Sequence, residues 1–488
     1  MIGGNMESFL LVLNKINDFI WGLPLIILLL GTGVFYTFLL RGLQFRKLGH
    51  SLYLAFIKRK EEGGGGEGDI SHFQALMTAL AGTVGTGNIA GVAGAISIGG
   101  PGALFWMWMT GFFGMATKYS EAVLAVKYRK VDENGNMVGG PMYYLQYGLN
   151  NKFLGVAFAV FAVIASFGIG NTVQVAEVAS AMKTSFNVDP RITGVVLLVL
   201  TGAVILGGIK RIGRFTSAIV PTMIIFYVVS CLIIIFMHYD KIIPAFALIF
   251  KSAFVPQAAI GGTFGALLSK TIQKGVSRGI FSNESGLGSS PIAAAAAKTN
   301  NPVSQALVSM TQTFIDTIVV CTMTGLIIVM SGATEHTGAV LTERAFSILL
   351  PGNLGGIIVT ISLIFFFFFS ILSWAYYGDK ALECLAGEKS IMIYRIVFTL
   401  ATYLGVVLSK GVWVFSDIAN GLMAIPNLIG LLLLAKVVTS ETNKFLNNEK
   451  DISEEIMIFF NEWTETHILK TDKIFSKELK KHLKFKKN

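Results

Sequence analysis

A glycine-rich interruption at the centre of a long apolar segment constrains this chain more than any other feature of its sequence. The segment covers about residues 73–98 and is long enough to cross a bilayer, which takes about 20 residues. Its centre reads Gly82-Thr83-Val84-Gly85-Thr86-Gly87-Asn88. Glycine lowers helix propensity, and unwound backbone inside a membrane is tolerated only where protein buries it or a wet cavity adjoins it. The run therefore predicts two half-helices that face each other across a gap.

The facing ends of two half-helices have complementary electrostatics. The N-terminal end of one attracts a carboxylate, and the free carbonyls at the C-terminal end of the other suit a cation. The alternative is that the glycines are close-packing points between neighbouring helices. Packing alone explains neither Asn88 nor the two threonines, so a ligand site is the preferred interpretation.

The composition indicates an all-α polytopic membrane protein. Of the 488 residues, 53% are hydrophobic and 14% are charged, against about 25% charged in a soluble domain. The net charge of +10 could suit nucleic acid, but the basic residues lie in short loops and in the tail. The three cysteines are in or beside apolar segments, which argues against a disulfide framework or a metal site.

Hydropathy predicts eleven transmembrane helices. The fifth and tenth are short, which leaves the count open by one. The predicted spans are 19–40, 73–98, 103–127, 153–182, 191–208, 215–238, 254–274, 303–331, 354–377, 391–408 and 412–438.

The distribution of basic residues predicts the orientation. With the N-terminus outside, the loops 41–60, 127–152, 210–214, 270–298 and 380–395 and the C-terminal tail lie inside. Together with Lys436, at the inner end of the last span, they hold 31 of the 39 lysines and arginines, as the positive-inside rule requires. The predicted organisation is an external N-terminus (1–18), an extra helix (19–40), a cytoplasmic amphipathic helix and linker (41–72), two five-helix repeats (73–252 and 253–440) and a cytoplasmic basic tail (441–488).

The two repeats are inferred from a second interruption five spans after the first. It reads Ala259-Ile260-Gly261-Gly262-Thr263-Phe264-Gly265 in the seventh span. Two repeats of opposite topology, each opening with a broken helix, indicate a transporter site at the middle of the bilayer.

Polar and aromatic residues on two further spans are candidates for the walls of that site. In the fourth span, Phe167, Gly170, Asn171 and Gln174 lie on the same or adjoining faces. In the ninth, Ser370 and Trp374 lie one turn apart. The alternatives are an interhelical hydrogen bond for the fourth span and, for the hydroxyl of Ser373, a bond back to its own helix.

Three acidic residues lie in or next to spans, where a charge is costly and usually functional. Glu121 has Lys118, Lys127 and Arg129 in reach, so we expect a structural ion pair. Asp316 is a better candidate for an ion-linked role, although its partner is not evident. Glu284 belongs to Ser282-Asn283-Glu284-Ser285-Gly286-Leu287-Gly288 and either forms part of an inner gate or caps the next helix.

The chemistry of soluble enzymes is not indicated. The sequence contains no phosphate loop, no nucleophile motif with partners and no paired catalytic carboxylates. Outside the spans, the apolar stripe of 43–60 and the basic end of the tail (477–487) predict contact with anionic membrane lipid. A solvated helix remains the alternative for the tail.

Several long motifs resemble the alanine or glycine:cation symporter family. They are Gly82-Thr83-Val84-Gly85-Thr86-Gly87-Asn88-Ile89-Ala90-Gly91-Val92, Gly99-Gly100-Pro101-Gly102, Lys118-Tyr119, Gly139-Gly140-Pro141-Met142-Tyr143 and Phe281-Ser282-Asn283-Glu284-Ser285-Gly286-Leu287-Gly288. The similarity covers about residues 20–440. It implies a LeuT-type fold, with two inverted five-helix repeats after one extra helix, and sodium-coupled uptake of alanine or glycine.

The run Thr83–Asn88 is also similar to the broken first core helix of neurotransmitter:sodium symporters, which implies site residues by position. The implied substrate-binding residues are Thr86, Gly87, Phe167, Gly170, Gln174, Gly262, Thr263, Ser370 and Trp374. The implied sodium ligands are Ala81, Val84, Asn88 and Ser370. Family members tend to have a hydroxyl residue where this chain has Phe369, and this difference leaves the identity of the coupling ion open.

The sequence thus predicts a multi-pass transporter of the cell membrane that carries alanine or glycine with sodium and needs no other cofactor. The alternatives are a proton-coupled transporter in which Asp316 or Glu121 titrates, and a membrane sensor that binds an amino acid without transporting it. The preference between alanine and glycine, the acceptance of D-isomers, the ion stoichiometry and the oligomeric state are left open.

Overall fold

The computed structural model describes residues 2–58, 66–255, 264–352, 354–407 and 412–448. For residues 2–10, 264–267 and 412–413 it describes the backbone alone. In chain order, the helices are α1 (Ile2–Ile20), α2 (Leu23–Leu39), α3 (Leu43–Arg46), α4 (Leu48–Phe56), α5 (His72–Thr83), α6 (Val92–Gly99), α7 (Ala103–Lys127), α8 (Pro141–Tyr143), α9 (Lys152–Phe167), α10 (Val173–Phe186), α11 (Pro190–Ile205), α12 (Gly208–Met237), α13 (Ile242–Phe254), α14 (Phe264–Asn283), α15 (Pro291–Ala295), α16 (Pro302–Thr313), α17 (Thr322–Ser331), α18 (Gly338–Leu349), α19 (Leu354–Ala386), α20 (Ser390–Val407) and α21 (Val412–Leu433).

The described residues contain seven helices that are long and apolar enough to cross a membrane, and a bent helix pair that makes an eighth. The prediction of an all-α polytopic membrane protein is confirmed, whereas the count of eleven spans is not. The pair consists of His72–Thr83 and Gly87–Gly99, which meet at an angle of 48°. The predicted break in the second span is therefore confirmed.

Two long spans are continuous but contain a π-helical turn. Helices α9 and α10 are joined through Gly168–Thr172, and α16 and α17 through Phe314–Cys321. A third π-helical turn, Gly87–Gly91, follows the break between α5 and α6. Such turns occur mostly at functional sites because they locally change the direction of side chains. Each of the three contains a residue of the candidate site described below.

The prediction for the seventh span falls only in part on described residues. Helix α14 covers Phe264 to Asn283 and so ends nine residues beyond the predicted 254–274. The chain then leaves the helix with positive φ angles at Glu284 (56°), Gly286 (90°) and Gly288 (84°). Most of the predicted interruption at 259–265 lies outside the described residues. The motif 282–288, predicted to follow the span as a gate or cap, is itself a break, and Ser290 rather than Glu284 occupies the N-cap position of α15.

A buried carboxylate holds this second break. One oxygen of Glu121 accepts hydrogen bonds from the amides of Gly286 and Gly288, each at 3.1 Å, and from Nδ2 of Asn427 at 2.7 Å. Lys118 lies 3.4 Å from the other oxygen and donates to the Glu284 carbonyl at 2.9 Å. The ion pair expected for Glu121 is thus present with Lys118, and both side chains fix irregular backbone.

A short hairpin marks one end of the helix bundle, which we call the hairpin face. Strand β1 (Lys130–Val131) pairs antiparallel with β2 (Met137–Val138). Next to β1, the Arg129 guanidinium donates to four carbonyls, at 2.7–3.0 Å: Glu67, Ala295, Ala297 and Thr299. Arg129 therefore joins the segment before α5 to the segment after α15, which are the ends of the two broken helices.

The remaining predictions on the chain's organisation are tested only in part. Helices α3 and α4 cover Leu43–Phe56, within the predicted amphipathic segment. The linker at 59–65 and the tail from 449 lie outside the described residues. By itself, the second compact unit, Val437–Asn488, is described only over 437–448, which is largely helical.

Replacement of Arg129 by Gln should lower the midpoint of thermal unfolding in detergent by about 5 °C or more. Hydrogen bonds from a charged donor contribute about 1.5–3 kcal/mol each, and Gln can replace at most two of the four. Differential scanning fluorimetry measures the shift. Arg214→Gln, which alters an exposed arginine on α12, is the matched control. Equal midpoints for the two variants would show that Arg129 does not tie the broken helices together.

Candidate functional site

The first break is open backbone surrounded by other helices. Helix α5 ends at Thr83, and Val84 takes an extended conformation with φ −73° and ψ 90°. A Cβ atom on Gly85 would lie 2.5 Å from Oγ of Ser370, and a Cβ atom on Gly87 would lie 2.6 Å from Cα of Ser282. Only glycine allows this approach. The break is thus in contact with α19 on one side and with the end of α14 on the other.

Asn88 and Asp316 form the polar centre of the site. The Asn88 side chain accepts from the Gly85 amide at 2.8 Å and donates to the Asp316 carboxylate at 2.7 Å. The other Asp316 oxygen accepts from the hydroxyls of Ser282 at 2.9 Å and Thr317 at 2.8 Å. All four side chains are fully buried. Asp316, whose partner was not evident from the sequence, therefore connects the first break to the end of α14.

The fourth span contributes Gln174, as predicted for a wall of the site. Its Nε2 donates to the Ile169 carbonyl at 2.9 Å and to the Thr86 hydroxyl at 3.3 Å. Its Oε1 is buried and has no hydrogen-bond partner among the described residues. A Cβ atom on Gly85 would lie 3.8 Å from this oxygen. A free acceptor therefore lies next to the first break.

The ninth span, α19, is hydrogen-bonded to the first half-helix. Oγ of Ser370 donates to the Ala81 carbonyl at 3.0 Å. Oγ of Ser373 donates to the Thr78 carbonyl at 2.7 Å, so the expectation that Ser373 bonds back to its own helix is wrong. The Thr78 carbonyl is within reach of the Ser373 hydroxyl because α5 and α19 pack directly together. These two bonds hold α5 against α19.

Trp374 closes this region against the fourth span. Its side chain is 1% exposed, and a Cβ atom on Gly170 would lie 2.3 Å from its Cβ atom. Gly170 thus provides the space in which Trp374 packs.

The structure brings together most but not all of the predicted site residues. Those in or next to the first break are Ala81, Val84, Thr86, Gly87, Asn88, Gln174 and Ser370, with the Gly170–Trp374 contact beside them. The described ring contacts of Phe167 are with Tyr394 and Phe398 on α20, at 5.4 and 5.5 Å. Gly262 and Thr263 lie outside the described residues. The buried ring of Phe369 packs against Phe368, with 5.4 Å between ring centroids.

Sequence reasoning did not assign Ser282 to the site. A signal was present in the sequence, because Gly286 and Gly288 follow a polar run. In the structure, both glycines take positive φ. The hydroxyl of Ser282 lies between the two breaks and donates to Asp316. The second broken helix therefore reaches the site through 282–288 in the described structure.

The oxygen atoms at the end of α5 suit a hard cation. Oγ of Ser370 and the backbone oxygens of Ala81 and Val84 are neutral donors of the kind that sodium prefers, and the C-terminal end of a helix carries partial negative charge. The amides of Thr86 and Gly87, which open the second half, have the opposite polarity and suit a carboxylate. The two sides of the break therefore have the polarity that a cation and a carboxylate require.

The site is closed to solvent. Thr86, Gln174, Ser370 and Trp374 are each 2% exposed or less. A ligand reaches it only when α5, α14 or their neighbours move. Such motion is consistent with the hydroxyl-to-carbonyl bonds of Ser370 and Ser373, which can exchange partners without breaking a helix.

Comparisons with known proteins agree with this description. The sequence pattern of the sodium:alanine symporter family matches residues 6–458. The chain is 57% identical to the sodium/alanine symporter AgcS of Methanococcus maripaludis over 449 residues, which cover 90% of this chain and 97% of that protein. It is 38% identical to the probable sodium/glutamine symporter GlnT of Bacillus subtilis over 89% of this chain and 90% of that one.

A solved structure supports the fold. The crystal structure of MhsT in complex with L-phenylalanine aligns with a TM-score of 0.56 over 76% of this chain and 90% of that chain, at 14% sequence identity. The LeuT-type fold implied by the resemblance is therefore confirmed.

Replacement of Gly170 by Ala should lower the thermal midpoint and impair ligand binding at the first break. The added Cβ cannot fit 2.3 Å from Cβ of Trp374, and overpacking of this kind costs about 1–3 kcal/mol. Gly94→Ala in α6 is the matched control, since a Cβ there has nothing within 4 Å. Thermal unfolding of both variants measures the effect. A Gly170→Ala protein as stable as Gly94→Ala would show that the Trp374 contact is loose.

Proposed function

The chain belongs to the sodium:alanine symporter family, and on that premise we propose that it takes up alanine or glycine together with sodium by alternating access. It is a multi-pass membrane transporter and not an enzyme. The observation that carries the proposal is the buried break at 84–88, where two helix ends of opposite polarity meet. The free Oε1 of Gln174 beside it suits the ammonium group of an amino acid.

The proposed substrate site uses the residues that the break brings together. The amides of Thr86 and Gly87 face the carboxylate, Gln174 faces the ammonium group, and Ser370 lies between the substrate and the cation. Trp374 packs closely on Gly170, and its large ring favours a substrate side chain no larger than a methyl group. Phe167 then acts through α20 rather than by touching the substrate.

The proposed sodium site is at the end of α5. The backbone oxygens of Ala81 and Val84 and Oγ of Ser370 are the ligands that fit. Asn88 is a positioning residue rather than a ligand, because its amide is already engaged by Gly85 and Asp316. Phe369 offers no ligand atom, so its neighbour Ser370 is the side chain on which the site depends.

Coupling follows from where this ion would lie. Sodium between Ala81 and Ser370 would link α5 to α19, which hydrogen bonds hold together in the closed structure. Bound together, the ion and the substrate would favour the closed state over a state in which α5 has moved away from α19. A difference in ligand affinity between two states is what shifts the equilibrium between them.

Two further proposals concern the orientation of the chain in the membrane and its contact with lipid. We infer that the N-terminus lies outside and the C-terminus inside the plasma membrane, because the basic loops satisfy the positive-inside rule in that orientation. The segment that contains α3 and α4 would then contact lipid of the inner leaflet.

Sodium coupling predicts that an inward sodium gradient alone drives accumulation of labelled alanine in proteoliposomes. We expect accumulation of about tenfold or more over vesicles without a gradient, since one sodium ion supplies about 1.4 kcal/mol per tenfold gradient. A proton gradient without sodium should drive none, because the proposed ion site at the end of α5 consists of carbonyl and hydroxyl oxygens that do not titrate.

The vesicle experiment separates the rivals. Accumulation driven by protons alone would support the proton-coupled alternative. Binding of alanine without accumulation in sealed vesicles would support the sensor. Thr86→Phe, which fills the break, is the negative control for specific uptake, and glycine as competitor reports the substrate preference.

Replacement of Ser370 by Ala should raise the sodium concentration for half-maximal uptake about tenfold or more, because the ion loses the only side-chain oxygen assigned to it. Ser373→Ala is the matched control. It removes an equivalent bond from α19 to α5, one turn away and outside the proposed ion site. Sodium titration of initial uptake rates measures both. Equal shifts would mean that the hydroxyls act only through helix packing.

A further inference from the structure

A polar cleft opens at the hairpin face, away from the break. It has a volume of about 370 Å³ and lies between the hairpin turn, the α11–α12 connection and the α19–α20 connection. We call it the hairpin cleft. Its charged and phenolic lining residues are Asp132, Lys210, Tyr376, Lys380, Glu388 and Arg395.

The acidic groups of the hairpin cleft already have donors from the protein. Oδ1 of Asp132 accepts from the amides of Asn134 and Asn136, at 3.0 and 2.7 Å. Glu388 accepts from the amide and the side chain of Asn134. These carboxylates close the hairpin turn and attach it to the α19–α20 connection.

The donors of the hairpin cleft, in contrast, are incompletely used. The Tyr376 hydroxyl is buried, in a residue 1% exposed, and has no hydrogen-bond partner among the described residues. Arg395 directs Nε and Nη2 to Asp379, at 3.0 and 2.6 Å, and its guanidinium lies against Gly208. Lys210 forms no ion pair within the described part of the chain. A buried hydroxyl without a partner costs about 1–3 kcal/mol, so its position in the wall of a polar cleft points to a ligand.

The charges of the hairpin cleft select the ligand's chemistry. Three cations line it, Lys210, Lys380 and Arg395, together with the two carboxylates of the hairpin attachment. Lys380 binds Glu383 at 2.6 Å and Asp132 at 3.5 Å, and Arg395 binds Asp379, so both cations are already paired and further negative charge lies directly behind the wall. A simple anion would be attracted by Lys210 but repelled by these carboxylates. A zwitterion can place its carboxylate near Tyr376 and Lys210 and its ammonium group near Asp132 and Glu388.

We propose that the hairpin cleft is a second, low-affinity binding site for a small zwitterionic amino acid, the carboxylate of which is bound by Tyr376 and Lys210. Tyr376 follows Ser370 by six residues on α19, which is about 9 Å along the helix. The start of α12 that borders the cleft packs on the segment that leads into α5, since a Cβ on Gly213 would lie 3.3 Å from Ile70. A substrate released when α5 moves away on this side passes the hairpin cleft, so the site serves release. This role rests on the proposed function.

Saturation-transfer NMR on the purified full-length protein in detergent tests the proposal. The probe is alanine in sodium-free choline buffer, in which the sodium-dependent site at the break is not filled. We expect saturable binding in the millimolar range. Tyr376→Phe and Lys210→Gln should each weaken it about fivefold or more, because each loses a donor to a carboxylate.

The variants separate binding from folding. Tyr376→Phe removes a hydroxyl that has no partner in the protein, so its thermal midpoint should be unchanged or raised. Tyr403→Phe on α20 and Lys389→Gln next to Glu388 are the matched controls outside the cleft lining, and neither should change the affinity. Unchanged alanine affinity in both cleft variants would overturn the assignment.

Competing ligands show whether the hairpin cleft prefers a zwitterion to a simple anion. Acetate and inorganic phosphate should bind at least about fivefold more weakly than alanine, because neither offers an ammonium group. If acetate or phosphate bound as tightly as alanine, the assignment of a zwitterion would be wrong and the hairpin cleft would be a site for anions. Absence of sodium-free alanine binding, with sodium-dependent uptake intact, would overturn the hairpin cleft and leave the proposed function standing. Absence of sodium-dependent uptake, with sodium-free alanine binding intact, would contradict the proposed function and leave the hairpin cleft site standing.

Discussion

The buried hydrogen bond between Asn88 and Asp316 is the interaction on which the rest of the site depends. A broken helix leaves amides and carbonyls without partners, and in a membrane no solvent replaces them. Asn88 accepts from the Gly85 amide with one atom of its side chain and donates to Asp316 with the other. Asp316 in turn orders Ser282 at the end of α14. Loss of one member leaves buried polar groups without a partner, at a cost of about 1–3 kcal/mol each.

The same solution occurs at the second break with different residues. Glu121 accepts from the amides of Gly286 and Gly288, and Lys118 donates to the carbonyl of Glu284. In both places a carboxylate on an intact helix compensates for the irregular backbone of a broken one. The first network lies beside the proposed ligands, whereas the second holds the irregular segment 284–288. Asp316 therefore belongs to the proposed site, whereas Glu121 stabilises the backbone around it.

Much of this arrangement could be predicted from the sequence because it depends on local composition. Three glycines and an asparagine inside an apolar segment have few explanations, so the first break and the contributions of Gln174 and Ser370 followed from residue types and spacing. The acceptor of Ser373 could not be predicted, since it depends on which helix packs against α19. The partner of Asp316 required the same knowledge, because Asn88 and Asp316 are 228 residues apart.

The second break shows a limit of hydropathy itself. Helix α14 contains Lys270, Lys274 and Arg278 and is not among the helices apolar enough to qualify as a span. A window average therefore favours the more apolar residues before it. The break at 284–288 uses Gly286 and Gly288, which are needed for positive φ rather than for low helix propensity. Backbone conformation of that kind produces no hydropathy signal. A helix that is polar on one side and buried against α7 and α6 can cross the protein while most of its neighbours are other helices rather than lipid.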